Sequence, residues 1–297
     1  MYYICQVDAY QVSGKYCKQQ RNKTYKTMKL RTILGIVLIA AMSVACVKKG
    51  NNTQKPQPAE GKHYVKSIEL YDENFEPYNE SIEFRLDSQK RIISIEGVER
   101  TEGGTEFVYS SADFTYGNNN DLTIECDFDG EQITINCELN DRGAIAHAVY
   151  EGNAEEMAGV EENFTYNNDG ELVIYDLVYM NHVLYSMVYE WKDGNIARIE
   201  VTSGGEYEGE ITCNYTDEPN PYNIDMFYTY SWTMPFLCEI ILFNDGLLGN
   251  TNRSLLANTT DTTVSGDYVT TVTHKFNSNG LLDYTKYEDT IFKFICF

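Results

Sequence analysis

The sequence predicts an all-β protein: an antiparallel meander of repeated hairpins that forms one large curved or rolled sheet or an open barrel, with few short helices. Three observations predict it. Tyrosine is in excess, at 24 of 297 residues against 13 phenylalanines and 2 tryptophans, and asparagine accompanies it, which pairs strand formers with turn formers. Polar and apolar residues alternate from Lys66 onward. One hairpin unit returns again and again along the chain.

The alternation is clearest in Leu122 to Asn140, LTIECDFDGEQITINCELN. With Asp129-Gly130 as a two-residue turn, Leu122, Ile124, Cys126 and Phe128 share a face with Ile133, Ile135, Cys137 and Leu139. Thr123, Glu125, Asp127, Thr134, Asn136 and Glu138 take the other, wet face, and Glu131 opposite Phe128 is the exception on the apolar side. The recurring unit is an aromatic or leucine anchor, a polar turn and an aliphatic strand. Its anchors are Leu86, Tyr116, Leu139, Tyr166, Trp191, Tyr215 and Phe276, at spacings of 30, 23, 27, 25, 24 and 61 residues. Gly143, Gly170, Gly194 and Gly280 follow four of them by three or four places. A strand–turn–strand module cannot bury its face alone, so stacked modules build a meander of roughly 12–16 strands. A short helix is expected around Asn153 to Glu161, and the long gap from Tyr222 to Val269 holds two apolar runs and a polar loop. So long a sheet must curl, split or close to protect its edges. A lipid-facing barrel needs an uninterrupted apolar outer band, whereas these outer faces carry Glu, Asp, Arg and Asn.

The N-terminus reads separately. Residues 1–27 are basic and without period, and are taken as an extension from an upstream start. Met28 opens a secretory signal over residues 28–45: Lys29 and Arg31 form the positive region, and Ile33 to Val44 an apolar stretch too short to span a bilayer. Ser43-Val44-Ala45-Cys46 resembles a bacterial lipobox, which implies lipidation of Cys46 and anchoring by acyl chains. Residues 46–62 are polar, with Pro56 and Pro58, and form a flexible tether. Residues 63–297 form a single all-β domain. Surface-exported lipoproteins of the Bacteroidota usually carry acidic residues after the cysteine. Lys48 and Lys49 stand here instead, which by that resemblance favours an outer-membrane lipoprotein facing the periplasm over one at the cell surface.

Charge narrows the partners. Residues 1–45 hold seven Lys/Arg and one Asp; of the 23 basic and 45 acidic residues in the chain, 16 and 44 remain, a net charge of −28. Nucleic acid is excluded as a partner, because phosphates need a basic face.

Two resemblances follow from the residues. Phe164-Thr165-Tyr166-Asn167-Asn168-Asp169-Gly170-Glu171-Leu172 is similar to tyrosine–aspartate (YD/RHS-type) repeats. Residues 63–297 as a whole resemble Bacteroidota lipoproteins carrying domain of unknown function 4595. The carrying residues are Tyr215-Thr216-Asp217-Glu218-Pro219-Asn220-Pro221, Asp245-Gly246-Leu247-Leu248-Gly249, Asn252-Arg253-Ser254-Leu255-Leu256, and Phe276-Asn277-Ser278-Asn279-Gly280-Leu281. The resemblance implies a porin-like fold and an envelope location, and no catalytic residues.

No catalytic constellation stands out. His63, His147, His182 and His274 are dispersed, with His182 placed in a turn, so no metal or other cofactor is expected. Cys126, Cys137, Cys213, Cys238 and Cys296 follow the lipobox. That odd number leaves at least one thiol free, and the hairpin register sets Cys137 against Leu122 rather than Cys126. Asp127-Phe128-Asp129-Gly130 and Asn167-Asn168-Asp169-Gly170 lack the full ligand run of a calcium loop and read as turns. Tyr175, Tyr179, Tyr185 and Tyr189 either fill the core or form a sugar-stacking platform. Asn244 to Thr262 is a polar insertion that either covers a sheet edge or carries function, with Asn250, Asn252 and Arg253 as candidate ligand-binding residues. The expectation is a non-enzymatic, lipid-anchored envelope protein that binds an envelope partner or ligand. A glycan-binding protein and a hydrolase using two carboxylates are the alternatives.

Overall fold

In the computed structural model the described residues are 64–296, without 102, 119, 129, 153–158, 223–245 and 264–266. The leader, Cys46, the tether, His63 and Cys238 lie outside them, as does most of the expected helix. The end of that stretch, Val160 and Glu161, belongs to a strand, and no helix occurs among the described residues.

Sixteen strands follow in order: β1 (Val65–Asp72), β2 (Pro77–Leu86), β3 (Ile92–Arg100), β4 (Glu106–Tyr116), β5 (Asp121–Phe128), β6 (Glu131–Leu139), β7 (Ile145–Gly152), β8 (Val160–Tyr166), β9 (Leu172–Tyr179), β10 (His182–Lys192), β11 (Asn195–Ser203), β12 (Glu206–Pro219), β13 (Ser254–Asp261), β14 (Tyr268–Phe276), β15 (Leu282–Tyr287) and β16 (Thr290–Cys296). Each pairs antiparallel with its neighbours in sequence. β1 pairs with β16 from Val65↔Cys296 to Asp72↔Thr290, so the meander closes into a barrel. The β5–β6 hairpin has the register its alternation predicts, with Leu122↔Cys137, Ile124↔Ile135 and Cys126↔Ile133.

The barrel is apolar inside and polar outside. Ile68, Ile82, Ile95, Phe114, Ile124, Ile135, Ala148, Phe164, Leu172, Met187, Ile199, Ile211, Leu255, Val272, Leu282 and Phe292, one from each strand in turn, belong to a single buried cluster. The outer face is held by charged networks. Arg198 on β11 reaches Glu190, Glu200 and Glu210 at 2.9, 3.1 and 2.6 Å. Arg100 on β3 reaches Glu83 and Glu106 at 2.6 and 2.9 Å, and lies over Ser81.

In an up-and-down barrel every second connection falls at the same end. All seven sequence anchors therefore collect at one rim, here called the anchor end, and all seven pack on the core. Tyr116 Oη donates to the Ile92 carbonyl at 3.1 Å, Tyr166 Oη to Ile145 at 2.8 Å, and Trp191 Nε1 to Leu172 at 2.7 Å. In each case the acceptor opens the strand that follows the preceding anchor, so each repeat is stapled to the one before it. The turns share one geometry. Asp87, Asn140, Asn167 and Asn277 each accept two backbone N–H groups on Oδ1, from residues two and four places on. The residue three places on is left-handed: Lys90, Gly143, Gly170 or Gly280, at φ 67°, 82°, 90° and 76°.

The insertion differs from expectation. Ser254–Asp261 is a full barrel strand, paired with β12 and β14. It hides in the sequence because, beyond Leu255 and Leu256, its inward face turns polar: Thr259 lies opposite Thr270, and Asp261 opposite Tyr268. The period-2 apolar signal is therefore absent there.

Two turn glycines separate backbone strain from crowding. A Cβ on Gly143 would meet nothing within 4 Å, whereas one on Gly249 would lie 2.5 Å from the Gly170 carbonyl oxygen and 2.6 Å from the Tyr166 ring. Gly143→Ala should cost about 1 kcal/mol, the left-handed penalty alone, and Gly249→Ala measurably more. Urea denaturation of the two variants checks the order.

Candidate functional site

The two ends of the barrel are built differently. At the anchor end a strap, residues 246–254, runs over the rim. Leu247 C=O accepts from Ile145 N–H at 2.8 Å, and Asn250 N–H donates to Gly170 C=O at 2.8 Å. The Asn250 amide donates to Asp169 C=O at 3.0 Å, and Arg253 N–H donates to Gly194 C=O at 2.9 Å. Asn252 is buried, and its Oδ1 accepts from Ile196 N–H at 2.8 Å and Tyr215 Oη at 2.9 Å. The three ligand-binding candidates thus lie together on one strap, and these groups of theirs hold it across the β8–β9 and β10–β11 turns.

The far end carries the exposed apolar surface. Of ten large apolar side chains standing exposed among the described residues, eight are here: Phe75, Tyr78, Phe107, Val108, Met180, Val183, Tyr207 and Val269. Acids accompany them. Glu162 is fully buried and accepts from Tyr150 Oη at 2.5 Å. Asp261 accepts from Thr263 N–H and Oγ1 at 2.8 and 2.6 Å, and Glu288 accepts from Tyr268 Oη at 2.5 Å.

Glu80 is the exception. It stands on β2 directly opposite Glu99 on β3, and Glu99 lies opposite Phe107 on β4. Directly opposed Cβ atoms are about 5 Å apart, and like charges so placed repel. Glu80 Oε2 is buried without a hydrogen-bond partner, and so is Ser110 Oγ. Burial first, and Glu99 second, raise the Glu80 carboxyl to about 7. Tyr109 beside them is pushed well above the usual tyrosine range by burial and by both acids, and Tyr78 is raised by burial and by acids that include Asp72 and Glu80. A bulge in β4 between the Gly97↔Ser110 and Val98↔Val108 pairs turns Tyr109 inward, and a Cβ on Gly97 would lie 2.7 Å from the Tyr109 ring. Glycine at 97 makes room for this aromatic.

The other residues singled out in the sequence stand elsewhere. Tyr175 and Tyr189 are buried in the core, with Tyr179 and Tyr185 packed against it, so the four do not form a platform on the outside. Cys126, Cys137, Cys213 and Cys296 are free. Burial pushes the Cys126 and Cys213 thiols up to about 12, which leaves them poor nucleophiles at neutral pH. His147 meets Glu161 at 3.2 Å on the outer face. His182 opens β10 opposite Tyr179, one residue beyond the Met180-Asn181 turn. His274 lies between Thr285 Oγ1 at 2.9 Å and Leu256 C=O at 2.7 Å, and burial lowers its pKa. Asp127 and Asn167 use their side chains on the amides of their own turns.

A closed sixteen-strand antiparallel meander with an apolar interior and a charged exterior defines an up-and-down β-barrel. The chain belongs to the family described as a domain of unknown function (DUF4595) with porin-like fold, whose model matches residues 84–289. Among solved structures it is similar to a porin-like protein from Bacteroides uniformis, with TM-score 0.63 and 14% identity over 80% of this chain and 98% of that one. It is also similar to a porin-like protein from Bacteroides vulgatus, with TM-score 0.52 and 10% identity over 78% and 98%. No curated protein matches the sequence.

The Glu80 carboxyl gives the site a pH signature. Its folded pKa, about 7, lies above the ordinary 4.5. Its contribution to stability is therefore fully present below about pH 4.5 and is lost as pH rises through 7. Glu80→Gln should melt with wild type at pH 4.5 and above it at pH 8, as read by circular dichroism. Equal melting at pH 8 would show that folding does not raise the Glu80 carboxyl above its ordinary range.

Proposed function

We propose that this protein is a lipid-anchored envelope protein whose barrel stands in water and acts by binding rather than by catalysis. The inverted polarity of the barrel carries the reading. A membrane-spanning barrel turns apolar side chains to lipid, and Arg or Lys on that face costs about 2–4 kcal/mol at the bilayer midplane. Here the outward Arg198, Glu190, Glu200 and Glu210 form a charged network on the wall. Attachment to a membrane then falls to acyl chains on Cys46.

The tether over 46–62 leads to Tyr64 and β1, which begins at the anchor end. In this reading the strapped end faces the membrane and the acidic, aromatic far end faces away. Lys48 and Lys49 favour the periplasmic side of the outer membrane, where the partner is another envelope component. The free thiols of raised pKa and the dispersed histidines support a binding role over a catalytic one.

The test is metabolic labelling with an alkyne fatty acid in the native host. Wild type should label and sediment with membranes, and Cys46→Ser should lose the label. A Cys46→Ser protein that still labels, or a wild type that never does, would overturn the anchor.

A further inference from the structure

The far-end mouth between β2 and β4 combines negative charge, aromatic surface and two polar atoms that the chain leaves unmatched. Glu80 and Glu99 form a like-charged pair across adjacent strands, with Phe107 in the same row and Tyr109 beside it. Of the other far-end acids, Glu162, Asp261 and Glu288 each accept on one oxygen from a hydroxyl or amide donor within the chain. Glu80 Oε2 is buried without a hydrogen-bond partner. Ser110 is independent of the acids. It is 5% exposed, it lies one row deeper than the pair at the level of Gly97, and its hydroxyl also has no partner. A buried hydroxyl without a partner costs about 1–3 kcal/mol, so both orphans lie where a partner from outside the chain would be rewarded.

The chemistry of the surroundings selects the partner. It must be positive, because both carboxylates face it. Among the described residues no group of three or more His, Cys, Asp or Glu side chains is placed to hold a metal ion. The walls are Phe107 and Tyr109, which suit a carbon stem and a cation over an aromatic face. From the Glu80–Glu99 row to the Ser110 row is two residues, about 7 Å. A chain of four or five carbons covers that distance.

We propose that this mouth binds a small aliphatic ammonium compound with a second polar group, the ammonium lying between Glu80 and Glu99, the stem on Phe107 and Tyr109, and the second group hydrogen-bonded to Ser110 Oγ. The raised Glu80 pKa agrees with this, since Glu99 is the charge that acts on Glu80 and a cation there would relieve the repulsion. The inference deepens the binding role proposed above and names a ligand class for it. It stands apart from the anchor, because loss of Cys46 lipidation leaves the mouth unchanged.

The probe is 1,5-diaminopentane, titrated calorimetrically into the mature protein at pH 8, with the neutral 1,5-pentanediol as comparator. The diamine should saturate and the diol should bind at least about tenfold more weakly. Glu80→Gln with Glu99→Gln should weaken the diamine about tenfold or more, whereas Glu190→Gln on the outer wall should leave it unchanged. Ser110→Ala should weaken the diamine about threefold or more while keeping or raising the melting temperature, because it removes an orphaned hydroxyl. No saturable binding up to about 10 mM would overturn the proposal. So would equal loss on Glu190→Gln, which would mark nonspecific attraction to an acidic protein. Circular dichroism of each variant establishes that it is folded.

Discussion

Closure of the sheet by β1 on β16 is the contact on which the rest of the molecule depends. A sixteen-strand meander with a free edge would offer unpaired backbone at both sides. Once Ser67 to Asp72 pair with Thr290 to Ile295, no edge remains and the sheet acquires an inside. The seam is reinforced from outside. Phe75 from the first hairpin packs edge-on to Tyr284 at 5.1 Å and against Tyr71 at 6.4 Å, and Ile291 at the seam is buried. With the sheet closed, the alternation of every strand resolves into an apolar interior and a charged wall. That polarity supports the proposed aqueous setting, because the same strand count with the opposite polarity would suit a bilayer.

The two ends follow from the same topology and diverge in chemistry. Anchors recurring every two strands must meet at one rim, and the tips of Tyr116, Tyr166 and Trp191 hydrogen-bond back to the preceding repeat. That end is then covered by the strap through Leu247, Asn250, Asn252 and Arg253. The far end has several two-residue turns, such as Met180-Asn181 and Gly204-Gly205, and leaves aromatic and acidic side chains at its mouth. One end holds the barrel together, and the other carries the proposed ligand site.

Much of the wall could be read from the sequence. The β5–β6 register followed from the alternation of Leu122 to Asn140, because one face is fully apolar and a one-residue slip would expose it. The seven anchors marked the even strands from β2 to β14. β13 escaped notice because its inward face beyond Leu255 and Leu256 is Thr259 and Asp261. The far-end site escaped for a different reason. Leu86 pairs with Ile92, but a bulge shifts the pairing by one from Arg85↔Ser94 onward. Without that bulge Glu80 would face Val98. The opposition of Glu80 and Glu99 therefore depends on a backbone irregularity that composition and period do not encode. Ser110 and Tyr109 depend on a second bulge in β4. The strap residues were visible as a polar insertion, but their partners lie far off in the chain, 81 residues away for Asn250 and Asp169 and further still for Leu247 and Ile145, and no local pattern announces them.

The central claim is that the barrel stands in water with its apolar face inward. The most direct measurement is vesicle flotation of residues 47–297, produced without lipid and without detergent. The account predicts a monomer, rich in β-structure, that stays at the bottom of the gradient and gives no conductance in planar bilayers. A chain that floats with the vesicles, or that opens channels, would contradict it.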